Sequence, residues 1–95
     1  MQGEPLRRTI TVTNPQGLHL RPLQAFVQAT KKFQAEIWVH KASQGQRQSG
    51  RSMSQLMLLE ANPGDQVVVE VQGPDAAEAL ELLCEILLTI PADDG

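Results

Sequence analysis

Three residues in one short run have the types and spacing to handle an anion. The run is Gly17-Leu18-His19-Leu20-Arg21-Pro22. His19 supplies an imidazole, the side chain whose ordinary pKa near 6.5 leaves it largely neutral and nucleophilic at pH 7. Arg21 supplies a planar fork of donors that matches phosphate-like oxygens. Pro22 predicts that a helix has just begun, because in the first turn its missing N–H would have no intrahelical partner. A helix start at this point places His19 at or beside the N-cap. The amides of Leu20 and Arg21 then form a cradle at the positive end of the helix dipole. Nucleophile, cradle and mobile cation are what a phosphoryl group carried on imidazole requires. Each exposed dipole or charge contribution is only about 0.3–1 kcal/mol, and a weak hold suits a group that must be handed on. A histidine beside an arginine at a helix end is also ordinary surface chemistry, so these residue types alone leave both readings open.

The surrounding pattern supplies the elements that would position this run. Arg7 to Thr13 alternates, with Ile10 and Val12 on one face and Thr9, Thr11 and Thr13 on the other, which predicts a half-buried strand. Asn14-Pro15-Gln16-Gly17 is turn chemistry. Leu20, Leu23, Phe26, Val27 and Thr30 fall near helical spacing over Leu20 to about Phe33, with Lys31 and Lys32 at its end. Ala35 to His40 reads as a second strand, and the polar stretch Lys41 to Gln46 as a hairpin loop leading to a weak strand over Gln46 to Ser49. Ser52 is placed as N-cap of a short helix reaching about Leu59. Asn62-Pro63-Gly64-Asp65 is a turn, and Gln66 to Gln72 is the clearest strand. Gly73-Pro74-Asp75 opens a last helix, with Asp75 and Glu78 spaced as a capping box. Its stripe is Leu80, Leu83, Ile86, Leu87 and Ile90, and Pro91 stops it. The order β-α-β-β-α-β-α predicts a two-layer α+β sandwich, with a four-stranded antiparallel sheet and three helices on one face. The other sheet face would be open to water, where Trp38, Val68 and Glu70 could point outward. One domain over residues 1–95 is expected, with an ordered core of about 7–90 and a flexible 91–95 tail.

Composition narrows the function classes. A net charge of −3 over 95 residues argues against nucleic-acid binding, and the scarcity of rings (two Phe, one Trp, no Tyr) argues against a base-stacking platform. Cys84 is the only cysteine, which rules out an internal disulfide, and with two histidines it leaves a Cys/His metal site short of ligands. No cofactor or metal is expected. The start Met1-Gln2-Gly3-Glu4-Pro5 has no apolar signal core and no apolar run is long enough to span a membrane, so a cytoplasmic monomer is the expectation.

The run Gly17 to Pro22, followed by Phe26-Val27, resembles the active-site loop of HPr. HPr is the histidine phosphocarrier of the bacterial phosphoenolpyruvate:sugar phosphotransferase system. Gly50-Arg51-Ser52-Met53 resembles the regulatory serine site of the same family. Gly64-Asp65 before the valine-rich strand and Ala76 to Leu83 in the last helix also fit, so the similarity runs from about Thr9 to Ile90. The resemblance implies an open-faced β-sandwich. It implies that His19 takes a phosphoryl group on Nδ1 from enzyme I and passes it to a histidine of an EIIA domain, with Arg21 stabilising the phosphohistidine. It implies that an HPr kinase/phosphorylase could act on Ser52, whose phosphate would repel an acidic partner surface. Leu20, Gln24, Met53 and Met57 would form the partner-docking patch. Such a protein is a relay rather than a turnover enzyme.

Four positions depart from the family pattern. Leu20 and Leu23 stand where smaller residues are usual, and both could widen the docking surface. The Lys41–Gln48 loop is about two residues longer than usual. Ser54 replaces a large apolar contact residue.

The competing readings are a regulatory binding module acting through Ser52, and a ferredoxin-like ligand- or RNA-binding domain. The third helix, the acidic charge and the missing ring platform weigh against the latter. Ser52 could equally be a plain cap, His40 a plain surface residue, Cys84 core packing, and Lys31, Lys32 and Arg51 either partner-facing or simply solvated.

Overall fold

A computed structural model describes residues 4–89. Its elements run β1 (Leu6–Thr11), α1 (Leu20–Thr30), β2 (Glu36–Lys41), β3 (Gln48–Ser49), α2 (Met53–Met57), β4 (Gln66–Gln72) and α3 (Ala76–Thr89). The order is the one expected. The stop at Pro91 and the 91–95 tail lie outside the described residues.

The sheet has the order β1-β4-β2-β3, with every pairing antiparallel. β4 is an inner strand buried on both faces from Val67 to Val71, with Glu70 the one charged residue in that run. In register, Ile10 lies opposite Val67, and Ile37 and Val39 lie opposite Val71 and Val69. These side chains meet Phe26 of α1, Leu56 of α2 and Leu83 of α3 in one core. Burial at this level accounts for about 1.5–3 kcal/mol per large apolar side chain.

The outer sheet face is not as open as the alternation suggests. The register aligns Arg7, Glu70 and Trp38 in one row, and Thr9, Val68 and His40 in the next. Glu70 nevertheless retains only 5% of its exposure and Val68 9%. Two guanidinium groups cover the carboxylate, Arg7 at 3.5 Å and Arg47 at 3.4 Å. Arg47 also stacks over the Trp38 ring, 4.4 Å from its centroid. His40 Nδ1 lies 2.8 Å from the carbonyls of Lys41 and Gln44, so its N–H can hold the hairpin loop that carries Arg47.

Helix ends also differ from the expectation. α1 stops at Thr30 because Lys31, Lys32 and Phe33 donate to Gln28, Ala29 and Thr30, a tighter i→i+3 pattern. The Asp75 carboxylate does not close a capping box. Its two oxygens accept from the amides of Gln34 and Ala35, both at 2.9 Å, and so tie the start of α3 to the α1–β2 connection.

Candidate functional site

His19 is held from behind by a turn. Gly17 donates to the Asn14 carbonyl at 2.9 Å and adopts φ +76°, a conformation that favours glycine. A Cβ there would also run into the Ala61 carbonyl. Leu18 is buried and donates to that same carbonyl at 3.0 Å. The chain therefore enters His19 from a fixed point. Beyond it, Pro22, Leu23 and Phe26 bury the inner face of α1, which fixes the helix axis.

His19 is the N-cap of α1, with extended backbone (φ −99°, ψ −162°) and no side-chain hydrogen bond to the helix start. Pro22 has no N–H and the Leu23 N–H donates to the His19 carbonyl at 3.3 Å. The first-turn donors ahead of Leu23 are thus Leu20 and Arg21 alone. No acidic residue sits in that turn to oppose an incoming anion. The ring is half-buried, and its Nε2 is buried with no hydrogen-bond partner. A group approaching from solvent therefore cannot reach Nε2.

A groove of about 580 Å³ begins at Arg21 and runs along α1 past Gln24, Ala25, Val27 and Gln28, with Met53 of α2 on its far side. Leu20 and Met57 are large apolar side chains about half exposed, and Leu58 is 67% exposed. His19, Leu20, Arg21 and Gln24 thus share one end of α1, and Met53 lines the groove with Arg21 and Gln24. Met57 does not line it. Leu23 is 2% exposed, so its size serves the core and does not widen the docking surface.

Ser52 is the N-cap of α2, and its Oγ accepts from the Gln55 amide at 3.3 Å. Ser54 Oγ is 3.2 Å from Ser52 Oγ. Two features were missed by sequence reasoning. Leu58 had a signal: Leu56 to Leu59 are four consecutive apolar residues, and a helix cannot turn all four inward. Arg51 had none. Its guanidinium donates to the carbonyls of Thr30 at 2.7 Å, Phe33 at 2.8 Å and Ala35 at 2.7 Å, so it is not merely solvated.

The family model described as "PTS HPr component phosphorylation site" matches residues 6–88. The chain belongs to the HPr family. It is 35% identical over 82 residues to the phosphocarrier protein HPr of Neisseria meningitidis, covering 86% of this chain and 90% of that protein. The HPr crystal structure from Bacillus anthracis superposes with a TM-score of 0.79 at 30% identity, covering 88% of this chain and 98% of that one. The same family likeness extends to part of a larger protein. The chain is 38% identical over 72 residues to a PEP-dependent dihydroxyacetone kinase subunit, the phosphoryl donor DhaM of Pantoea ananatis, covering 76% of this chain and 15% of that protein. The HPr-like sheet with three helices predicted from the sequence is thus the fold of its relatives, and the family is that of the phosphotransferase-system phosphocarriers. Among the described residues no helix is long and apolar enough to cross a membrane.

Proposed function

We propose that this chain is a phosphocarrier that takes a phosphoryl group on His19 Nδ1 from the phosphohistidine of enzyme I and passes it to a histidine of an EIIA domain. The observation that carries the reading is the half-buried, uncapped His19 at the start of α1, with Nε2 turned inward and Arg21 two residues on. In the transfer, the Nδ1 lone pair attacks phosphorus and the donor's N–P bond breaks. The donor imidazole keeps that electron pair, so the transfer balances without an oxidant, a reductant or a water molecule. The Leu20 and Arg21 amides and the Arg21 guanidinium meet the three phosphoryl oxygens. Leu20, Gln24, Met53 and Met57, with Leu58 added by its exposure, form the docking patch around that charged centre. The carrier works in the cytoplasm, where phosphoenolpyruvate is available, and its turnover is that of its partners.

Incubation with phosphoenolpyruvate and catalytic enzyme I should add one acid-labile phosphate to the wild type and none to His19→Ala. A His19→Ala protein that still takes the phosphate would overturn the assignment.

Regulation through Ser52 comes second. The half-buried hydroxyl already serves as the α2 cap, which explains a serine there without any further role. An HPr kinase with ATP should add acid-stable phosphate that Ser52→Ala abolishes. Absence of that phosphate leaves Ser52 as a cap.

A further inference from the structure

We infer that Arg51 is a positioning residue that sets the width of the α1–α2 groove, and so governs docking of the phosphoryl donor without touching the phosphoryl group. The inference rests on the phosphocarrier reading only in naming the occupant of the groove.

α2 is five residues long and buries one of them, Leu56. A helix that short has little stability of its own, so its placement depends on what pins the chain on either side. Behind it the pins are the buried Leu59 and Ala61. Ahead of it they are Gly50 and Arg51. The Gly50 amide donates to the Ile37 carbonyl at 2.8 Å, and a Cβ at Gly50 would meet the Ile37 side chain. The Arg51 guanidinium then reaches away from α2 to the far end of α1. It gathers the Thr30 carbonyl that closes α1 and the Phe33 and Ala35 carbonyls of the connection to β2. The Ala35 amide is in turn held by Asp75 at the start of α3. One side chain therefore ties the approach to α2 to the end of α1 and, through Ala35, to the start of α3.

The consequence falls on the groove. Its near wall is α1, and its far wall is Met53, two residues after Arg51. A planar guanidinium can hold three carbonyls in fixed directions, whereas an ammonium on a flexible stem is a point charge. With three of its five donors given to this chain's own carbonyls, exposed Arg51 is proposed to act through geometry rather than as a contact charge. His19 and Arg21 lie at the opposite end of α1 from these carbonyls, so the chemistry should survive loss of the clamp while docking weakens.

The test is steady-state phosphorylation by phosphoenolpyruvate and catalytic enzyme I, with the full chain as varied substrate. Arg51→Ala should raise KM roughly fivefold, with kcat little changed, as expected for loss of uniform binding. Arg51→Lys keeps the charge and loses the fork, so it should resemble Arg51→Ala. The KM ratio to wild type should hold at low and at high salt. Amide hydrogen exchange over Met53–Met57 should quicken in both variants. Arg51→Lys behaving as wild type, a KM difference that vanishes at high salt, or unchanged exchange in α2 would each overturn the clamp. If Arg51→Ala does not fold, Arg51→Lys and its exchange decide alone. If the wild type itself takes no phosphate, the phosphocarrier reading fails, and hydrogen exchange still judges the clamp.

Discussion

On the phosphocarrier proposal, His19 would owe its reactivity to what its neighbours leave undone. Its side chain does not cap α1, and the turn behind it is anchored to Ala61 rather than to the ring. The residue types in Gly17 to Pro22 made the placement of this candidate site at a helix start legible without coordinates, because imidazole, guanidinium and first-turn proline each carry a local meaning. The ring's orientation was not legible, since a buried Nε2 depends on packing from other segments. Gly17 is the supporting position where a single methyl should matter. Gly17→Ala meets both an unfavourable φ and the Ala61 carbonyl, and should cost about 2–3 kcal/mol, more than the ~1–2 kcal/mol of the left-handed conformation alone. Urea unfolding would measure it, and a loss below about 1 kcal/mol would mean that the turn yields easily. Glu60 gives the opposite sign. It sits at φ +48° as the chain leaves the α2 region. Relief of about 1–2 kcal/mol in Glu60→Gly outweighs the ~0.5–1 kcal/mol that glycine loses in chain entropy. The variant should gain up to about 1.5 kcal/mol in urea unfolding and take phosphate normally.

At the scale of elements, hydrophobic period found the main strands and helices, hairpin and cap chemistry found the polar β3 and the short α2, and side chains reaching between connections altered how those elements are finished. Val67, Val69 and Val71 announced β4, and the Leu80, Leu83 and Leu87 spacing announced α3. The Asp75 carboxylate was read as a local cap, yet its partners lie 41 and 40 residues away. Arg47 comes from a polar loop and buries Glu70 on a face that alternation marks as open. Arg51 reaches carbonyls 16 to 21 residues distant. Period reports the face a residue shows to its own layer, and says nothing of where a long polar side chain ends. Asp75→Asn tests the cross-connection. The amide side chain keeps one oxygen and cannot accept from both Gln34 and Ala35 as the carboxylate does, while its NH2 meets an N–H. A loss of about 1–2 kcal/mol is expected from thermal or urea unfolding. Phosphate uptake at saturating enzyme I should be unchanged, because His19 lies at the other end of α1. A neutral Asp75→Asn would mean that the link contributes nothing net.

The whole molecule places its connections at opposite ends of the sheet, and the end away from Asp75 carries a carboxylate of its own. Asp65 accepts from the Asn62 amide at 2.9 Å and lies 3.4 Å from Lys41 Nζ. It thereby closes the turn before β4 and ties it to the end of β2. The Asn62 amide hydrogen bond, with Lys41 adding to it, holds its carboxyl below the ordinary value of 3.8. A depressed folded-state pKa stabilises the fold above the unfolded value, and the contribution is lost as pH falls through the folded value. Asp65 should therefore support the fold fully at neutral pH and progressively less below about pH 4. Because Asp65 keeps 36% of its side-chain exposure, solvent and salt partly screen the Lys41 contribution, and the Asn62 hydrogen bond should survive high salt better. Urea midpoints of wild type and Asp65→Asn, measured from neutral to acid pH, should differ most at neutral pH and converge as the solution is acidified past 3.8. Added salt should narrow the neutral-pH gap without closing it. A gap that stays constant through the acid range would show that Asp65 acts through turn geometry alone, with its charge irrelevant to stability.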